Sequence, residues 1–80
     1  MIQIDDYSKL KIGVKQTSRA IIENKALFIY IARDAEQHVV RRVIELATEK
    51  NIDIIYVGSM KELGRVCNID VGAATAVKVK

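Results

Sequence analysis

Gly13-Val14-Lys15-Gln16-Thr17-Ser18-Arg19 places a glycine, an ammonium, an amide and a guanidinium close together, and the apolar residues Ala20, Ile21 and Ile22 follow at once. The pattern reads as the entrance of a short helix. The first turn of a helix leaves backbone N–H groups without intrahelical partners and carries the positive end of the helix dipole. Side chains able to read base edges therefore share this entrance with donors suited to phosphate oxygens. That combination fits a nucleic-acid backbone better than it fits a catalytic reaction.

A second segment, Leu63-Gly64-Arg65-Val66-Cys67-Asn68-Ile69-Asp70-Val71-Gly72-Ala73-Ala74, ends a helix and opens a loop. The loop carries two branched apolar residues, Ile69 and Val71, on either side of an acid, Asp70. Surface loops seldom present such residues. Either both tuck into the core beneath the loop, or they form an apolar lip on which the unstacked bases of single-stranded or bulged RNA rest.

Other candidates lack partners. Cys67 is the one cysteine and reads as a packing residue at a helix end. No second cysteine or nearby histidine supports a metal. His38 has nothing to make it an acid or a base. Asp5 and Asp6 read as solvated caps. Gly58-Ser59 lies between a strand and a helix and could hold a phosphate, but neither a G-x-G-x-x-G pattern nor a Walker lysine accompanies it. No catalytic residue, metal or cofactor is expected.

The elements that must position these residues alternate. Asp5 to Leu10 reads as a short helix, Leu10 to Ile12 as a brief strand, and Gln16 to Glu23 as a helix. Leu27 to Ala32 is a continuous apolar run, the mark of a strand covered on both faces. Asp34 reads as an N-cap with Gln37 as its capping-box partner, opening a helix with the buried stripe Val39, Val40, Val43, Ile44, Leu46 and Ala47. Ile52 to Val57 reads as a second buried strand. Ser59 and Glu62 form another capping box for a helix through Cys67, and Ala73 to Val79 a last strand, with Val77 and Val79 on one face and Lys78 and Lys80 on the other. Asn24, Asn51 and Asn68 close the three helices. Alternating strands and helices predict an α/β fold, a three-layer α/β/α sandwich on a four-stranded mixed, mostly parallel sheet with four helices.

At 80 residues and half hydrophobic, the chain fits one domain, residues 1–80, with one modest core, and is no disordered tail. Thirteen basic residues against ten acidic ones give a net charge of +3, which permits a polyanionic partner without demanding one. The excess is local. Lys9, Lys11, Lys15, Arg19 and Lys25 face only Glu23, whereas the central helix mixes signs as an ordinary solvated face does. By itself this is a solvated basic face; beside the Gly13 motif it is a candidate surface. The first residues have no basic region and no long apolar run, so no signal peptide is expected. No stretch approaches the roughly 20 apolar residues that cross a bilayer. The lone cysteine suits a reducing compartment.

Both motifs together resemble the kink-turn RNA-binding ribosomal proteins of the L7Ae and L30e type and their small bacterial relatives. That family's helix entrance reads Gly-x-Asn-Glu-x-Thr-Lys, or Gly-x-Lys-Gln-Thr in the L30e branch and the bacterial members. Its later segment reads Leu-Gly-x-Ala-Cys-Gly-Ile-Glu-Val-Gly-Ala-Ala, close to Leu63–Ala74. The resemblance covers Lys9 to Val79. Lys15 and Gln16 follow the L30e and bacterial pattern in place of the archaeal Asn-Glu, Arg19 stands where lysine is usual, and Asn68 stands where glycine follows the cysteine. Asparagine and glycine both accept positive φ.

The resemblance implies a protein that recognises and stabilises kink-turns in ribosomal or regulatory RNA: a cytoplasmic, ribosome-associated monomer that is not an enzyme and has no membrane contact. It implies an RNA-binding set of Gly13, Lys15, Gln16, Thr17, Arg19, Arg33, Lys61, Arg65, Ile69, Asp70 and Val71. Two rivals remain. One is a ribosome-associated structural or protein-interaction module on the same fold. The other is a small nucleotide-binding α/β domain with a pocket near Gly58 and Ser59. The kink-turn reading requires two segments some fifty residues apart to meet in the fold.

Overall fold

The computed structural model of the chain describes residues 9–80. Its elements run β1 (Leu10–Ile12), α1 (Val14–Ile22), β2 (Ala26–Ala32), α2 (Gln37–Glu49), β3 (Asp53–Val57), α3 (Met60–Val66) and β4 (Thr75–Val79). The helix expected over Asp5–Leu10 lies outside the described residues except at its last two positions, and Leu10 opens β1 instead. The described residues thus hold three helices rather than four.

The strand order is β1-β4-β2-β3. The sheet is mixed, as expected, but it is not mostly parallel. Only β2 and β3 run parallel, while β4 lies antiparallel to both β1 and β2. The α2 crossover permits the parallel pair; β4 returns between β1 and β2 in the opposite sense.

The central strands β2 and β4 divide their side chains between two cores. Ile29, Ile31 and Val77 pack under α1 and α2 with Ala20, Ile21, Val40, Val43, Leu46 and Ala47. Tyr30, Ala32 and Ala76 pack on the other face with Leu10, Val57, Leu63, Cys67 and Ala73. Helices on both faces make the three layers. β3 departs from expectation. It is an edge strand that buries only Val57 fully and leaves Ile55 and Tyr56 exposed. An apolar run signals strand but not its place in the sheet.

All three helices stop in the same way. Asn24, Asn51 and Asn68 hold φ of 59°, 57° and 61°, the left-handed region. Beyond each, the next N–H reaches back to the third-last helical carbonyl: Lys25 to Ala20, Ile52 to Ala47, Ile69 to Gly64. These are Schellman closures, with asparagine in the position that glycine most often takes.

Candidate nucleic-acid interface

The strand directions bring most of the candidate residues to one end of the sheet. β1, β2 and β3 end there and β4 begins there, since Ile12 pairs with Ala76, Ile31 with Thr75, and Ala32 with Val57. The entrances of α1, α2 and α3 follow directly. Gly13, after β1, donates its N–H to the Thr75 carbonyl at 2.9 Å. Thr75 is fully buried and donates its hydroxyl to the Tyr30 carbonyl at 2.8 Å. The helix entrance is thereby pinned to the strand that leaves the Ile69–Val71 loop. The two segments reach the same end of the sheet, α1 from one layer and the loop from the opposite one.

At the α1 entrance Gly13 has φ 106°, where L side chains are rare, and a Cβ there would meet nothing within 4 Å. Conformation, not crowding, demands the glycine, and the space before it is open. Among the described residues no side chain caps this helix, and no acid stands in its first turn. Lys15, Gln16 and Arg19 are exposed, Arg19 one turn along from the other two. Thr17 is not part of this surface. Its side chain is completely buried on the inward stripe with Ala20 and Ile21, and its hydroxyl has no hydrogen-bond partner among the described residues.

The entrance of α3 is the opposite case. Ser59 Oγ accepts the Glu62 N–H at 3.0 Å, as the capping-box spacing predicts. Asp34, expected to cap α2, instead sends Oδ1 to the Met60 N–H at 2.7 Å. Residue Glu36 takes the α2 N-cap position without a side-chain bond. The Glu62 carboxylate turns back so far that a Cβ on Gly58 would come 2.7 Å from its Oε2. Two carboxylates already occupy the Gly58-Ser59 turn, so it has no vacancy for a phosphate. The turn therefore offers no place for the phosphate that the nucleotide-pocket reading needs near Gly58 and Ser59.

The loop resolves differently for its two apolar residues. Ile69 is half-buried and packs against the core that contains Leu63 and Cys67. Val71 is 70% exposed, the most exposed large apolar side chain among the described residues. Gly64 allows this arrangement, because a Cβ on it would collide with the Val71 carbonyl. Asp70 is exposed. Of the basic candidates, Arg33 follows β2 directly and Lys61 lies in the first turn of α3, both at the shared sheet end, whereas Arg65 sits in the last turn of α3, farther down.

Residues 3–80 match the model of the ribosomal protein L7Ae/L30e/S12e/Gadd45 family. The chain belongs to that family. It is 54% identical over 71 residues to an RNA-binding protein of Caldanaerobacter subterraneus subsp. tengcongensis, covering 89% of this chain and 87% of that one. It is 47% identical over 78 residues to an RNA-binding protein of Halalkalibacterium halodurans, covering 98% and 95%. A solved 15.5kD RNA binding protein of Giardia lamblia superposes with a TM-score of 0.85 at 27% identity, and the chain spans 62% of its length.

Tyr56 lies beside one of the candidate residues although no sequence pattern points to it. The Arg33 guanidinium carbon lies 5.2 Å from the centre of its ring, a cation–π contact that holds Arg33 at the sheet end. No spacing rule joins these positions, because they become neighbours only through the β2–β3 register. His38 is exposed on α2, with Nε2 at 3.3 Å from Glu36, and no site forms around it. Cys67 is buried, and that burial pushes its thiol pKa up, the reverse of a reactive cysteine. Among the described residues no His, Cys, Asp and Glu group could hold a metal ion, and no helix is long and apolar enough to cross a membrane.

Proposed function

We propose that this chain binds RNA and acts on kink-turns: internal loops in duplex RNA where a short bulge is flanked by sheared G·A pairs and the axis bends sharply. The observation that carries the reading is the α1 entrance, which no side chain among the described residues caps, with Lys15, Gln16 and Arg19 exposed beside Gly13 in a chain whose relatives from Caldanaerobacter and Halalkalibacterium are RNA-binding proteins. Regular A-form RNA hides its major groove from side chains, and a sharp bend opens it. Gly13 lets the backbone approach the opened groove. Lys15 and Arg19 donate to guanine O6 and N7 or to phosphate, and Gln16 both donates and accepts at a base edge. Val71 covers an extruded nucleotide, while Arg33 and Lys61 add positive charge at the same sheet end. Protein that contacts only the bent form well shifts the RNA population toward it.

The chain works as a single domain and a monomer, without catalysis, on ribosome-associated or regulatory RNA in the cytoplasm. The test compares affinity for a kink-turn RNA with affinity for a straight duplex of equal length, for the wild type and Gln16→Ala. The wild type prefers the kink-turn. Gln16→Ala loses about 1–3 kcal/mol on that RNA alone. Equal affinity for both RNAs in the wild type refutes the reading and leaves the protein-interaction module standing.

A further inference from the structure

A second feature extends from the reading end of α1 along its flank. Gln16, Arg19 and Glu23 fall at i, i+3 and i+7, a single stripe of the helix. Across from this stripe lies the edge of the sheet. Lys11 of β1 pairs with Val77 of β4, so its side chain shares the face that α1 covers. At the far end the Lys80 N–H bonds to the Lys25 carbonyl at 2.9 Å, which brings these two residues side by side. Between helix and sheet edge runs an open cleft of about 260 Å³ with Ala20 and Val79 in its lining. Its charged side chains are Lys11, Arg19, Lys25 and Lys80 against one side-chain carboxylate, Glu23, already 3.4 Å from Lys25.

We infer that this cleft holds the sugar–phosphate strand that continues from the bases read at Gln16, so that the protein grips one stem of its RNA as well as the bend. The inference rests on the RNA reading above. The cleft begins at Gln16, the residue assigned to a base edge, so a strand leaving that base meets it without turning. From Gln16 to Glu23 the stripe is about 10 Å long at 1.5 Å per residue, room for consecutive phosphates rather than one. The cations are strung along this length instead of converging on a point, which suits a chain of anions better than a single ion. Apolar Ala20 and Val79 suit the ribose faces between phosphates. Three of the five cations in the sequence-local basic excess, Lys11, Arg19 and Lys25, line the cleft, joined by Lys80 of the segment after β4.

The test uses the whole chain and three kink-turn RNAs: one with both stems full, and two in which one stem or the other is trimmed back to the bend. Lys25→Gln with Lys80→Gln weakens binding to the full RNA about tenfold at low salt and lowers the salt slope by about two, roughly one per phosphate contact. The loss disappears on one of the trimmed RNAs and persists on the other. Lys11→Gln repeats the pattern at half the slope change. Glu23→Gln moves the other way and tightens binding, a direction that no loss of structure produces. Unchanged affinity and slope in the double variant, while Gln16→Ala still weakens binding, overturn the cleft and leave the reading at the bend intact. A loss equal on both trimmed RNAs shows a diffuse field rather than a held strand and also overturns it. A wild type that does not prefer the kink-turn removes the reading itself and this inference with it.

Discussion

Asp34 and Met60, 26 residues apart, are joined by a 2.7 Å bond in which the Asp34 carboxylate accepts the first N–H of α3. The bond ties the turn that carries Arg33 to the helix that carries Lys61. One side chain thus fixes the relative position of two basic groups, and the helix dipole favours its charge there. Replacing Asp34 by alanine leaves this N–H to water and should cost about 1 kcal/mol of stability, the usual worth of a helix cap. Asp34→Asn, which keeps an acceptor, should cost less. Urea unfolding of the three proteins is the measurement, and equal midpoints would show that the bond contributes nothing.

Local and non-local information part company at this residue. Asp34-x-x-Gln37 has the same form as Ser59-x-x-Glu62, and only the second behaves as written. Spacing reports that a residue can cap a helix, but not which one. The three asparagines were legible because a left-handed helix exit is decided within a few residues. Element order and layers were legible too, from apolar runs and periodicity. The edge position of β3 was not, since Ile54, Ile55 and Tyr56 are as apolar as a central strand and only the strand order leaves Ile55 and Tyr56 exposed. In the candidate site, the Gly13 entrance could be read from seven consecutive residues. The cleft that joins Lys11 to Lys80 could not, because it depends on the β1–β4 register.

Thr17 illustrates the limit of reading a motif as a block. It stands between Gln16 and Arg19 in sequence but one helical face away, fully buried, its hydroxyl without a partner among the described residues. A buried polar group without a partner costs about 1–3 kcal/mol. Thr17→Val keeps the branched shape and should raise stability by about 1 kcal/mol, with kink-turn affinity unchanged. Thermal unfolding and an RNA titration check the two halves. A drop in affinity at unchanged stability would put the hydroxyl back into the binding set.

Alkaline pH should loosen the core beneath the loop. Burial raises the Cys67 thiol pKa, and burial, with a smaller contribution from Cys67, raises that of the Tyr30 phenol. In both cases the unfolded chain releases its proton at lower pH than the folded one. The full contribution to stability is therefore present below the ordinary thiol range, and it is lost as pH rises from that range through the folded-state value. Cys67→Ala removes one of the two groups and should make the decline shallower. Urea midpoints between pH 7 and 10 give the comparison by slope, so the cavity left by the smaller side chain does not confuse it. Parallel declines in variant and wild type would show that the thiol has no part.

Ile69 and Val71 separate packing from contact within one loop. Two residues apart on an extended chain they would share a face, but the loop is not a strand, and Ile69 turns in toward Leu63 and Cys67 while Val71 stays 70% exposed. A carboxylate at position 69 would be driven into an apolar environment without a partner, so Ile69→Asp should lower stability by about 2 kcal/mol or more. Any loss of RNA affinity it shows is then inseparable from unfolding. Val71→Asp carries the informative result. It should leave the melting temperature within the range of an ordinary surface change, about 0.5 kcal/mol. It should also weaken kink-turn binding, through the lost apolar cover and the repulsion between a new carboxylate and phosphate. Binding by Val71→Asp as tight as the wild type would take the loop out of the interface and leave the α1 entrance to account for recognition alone.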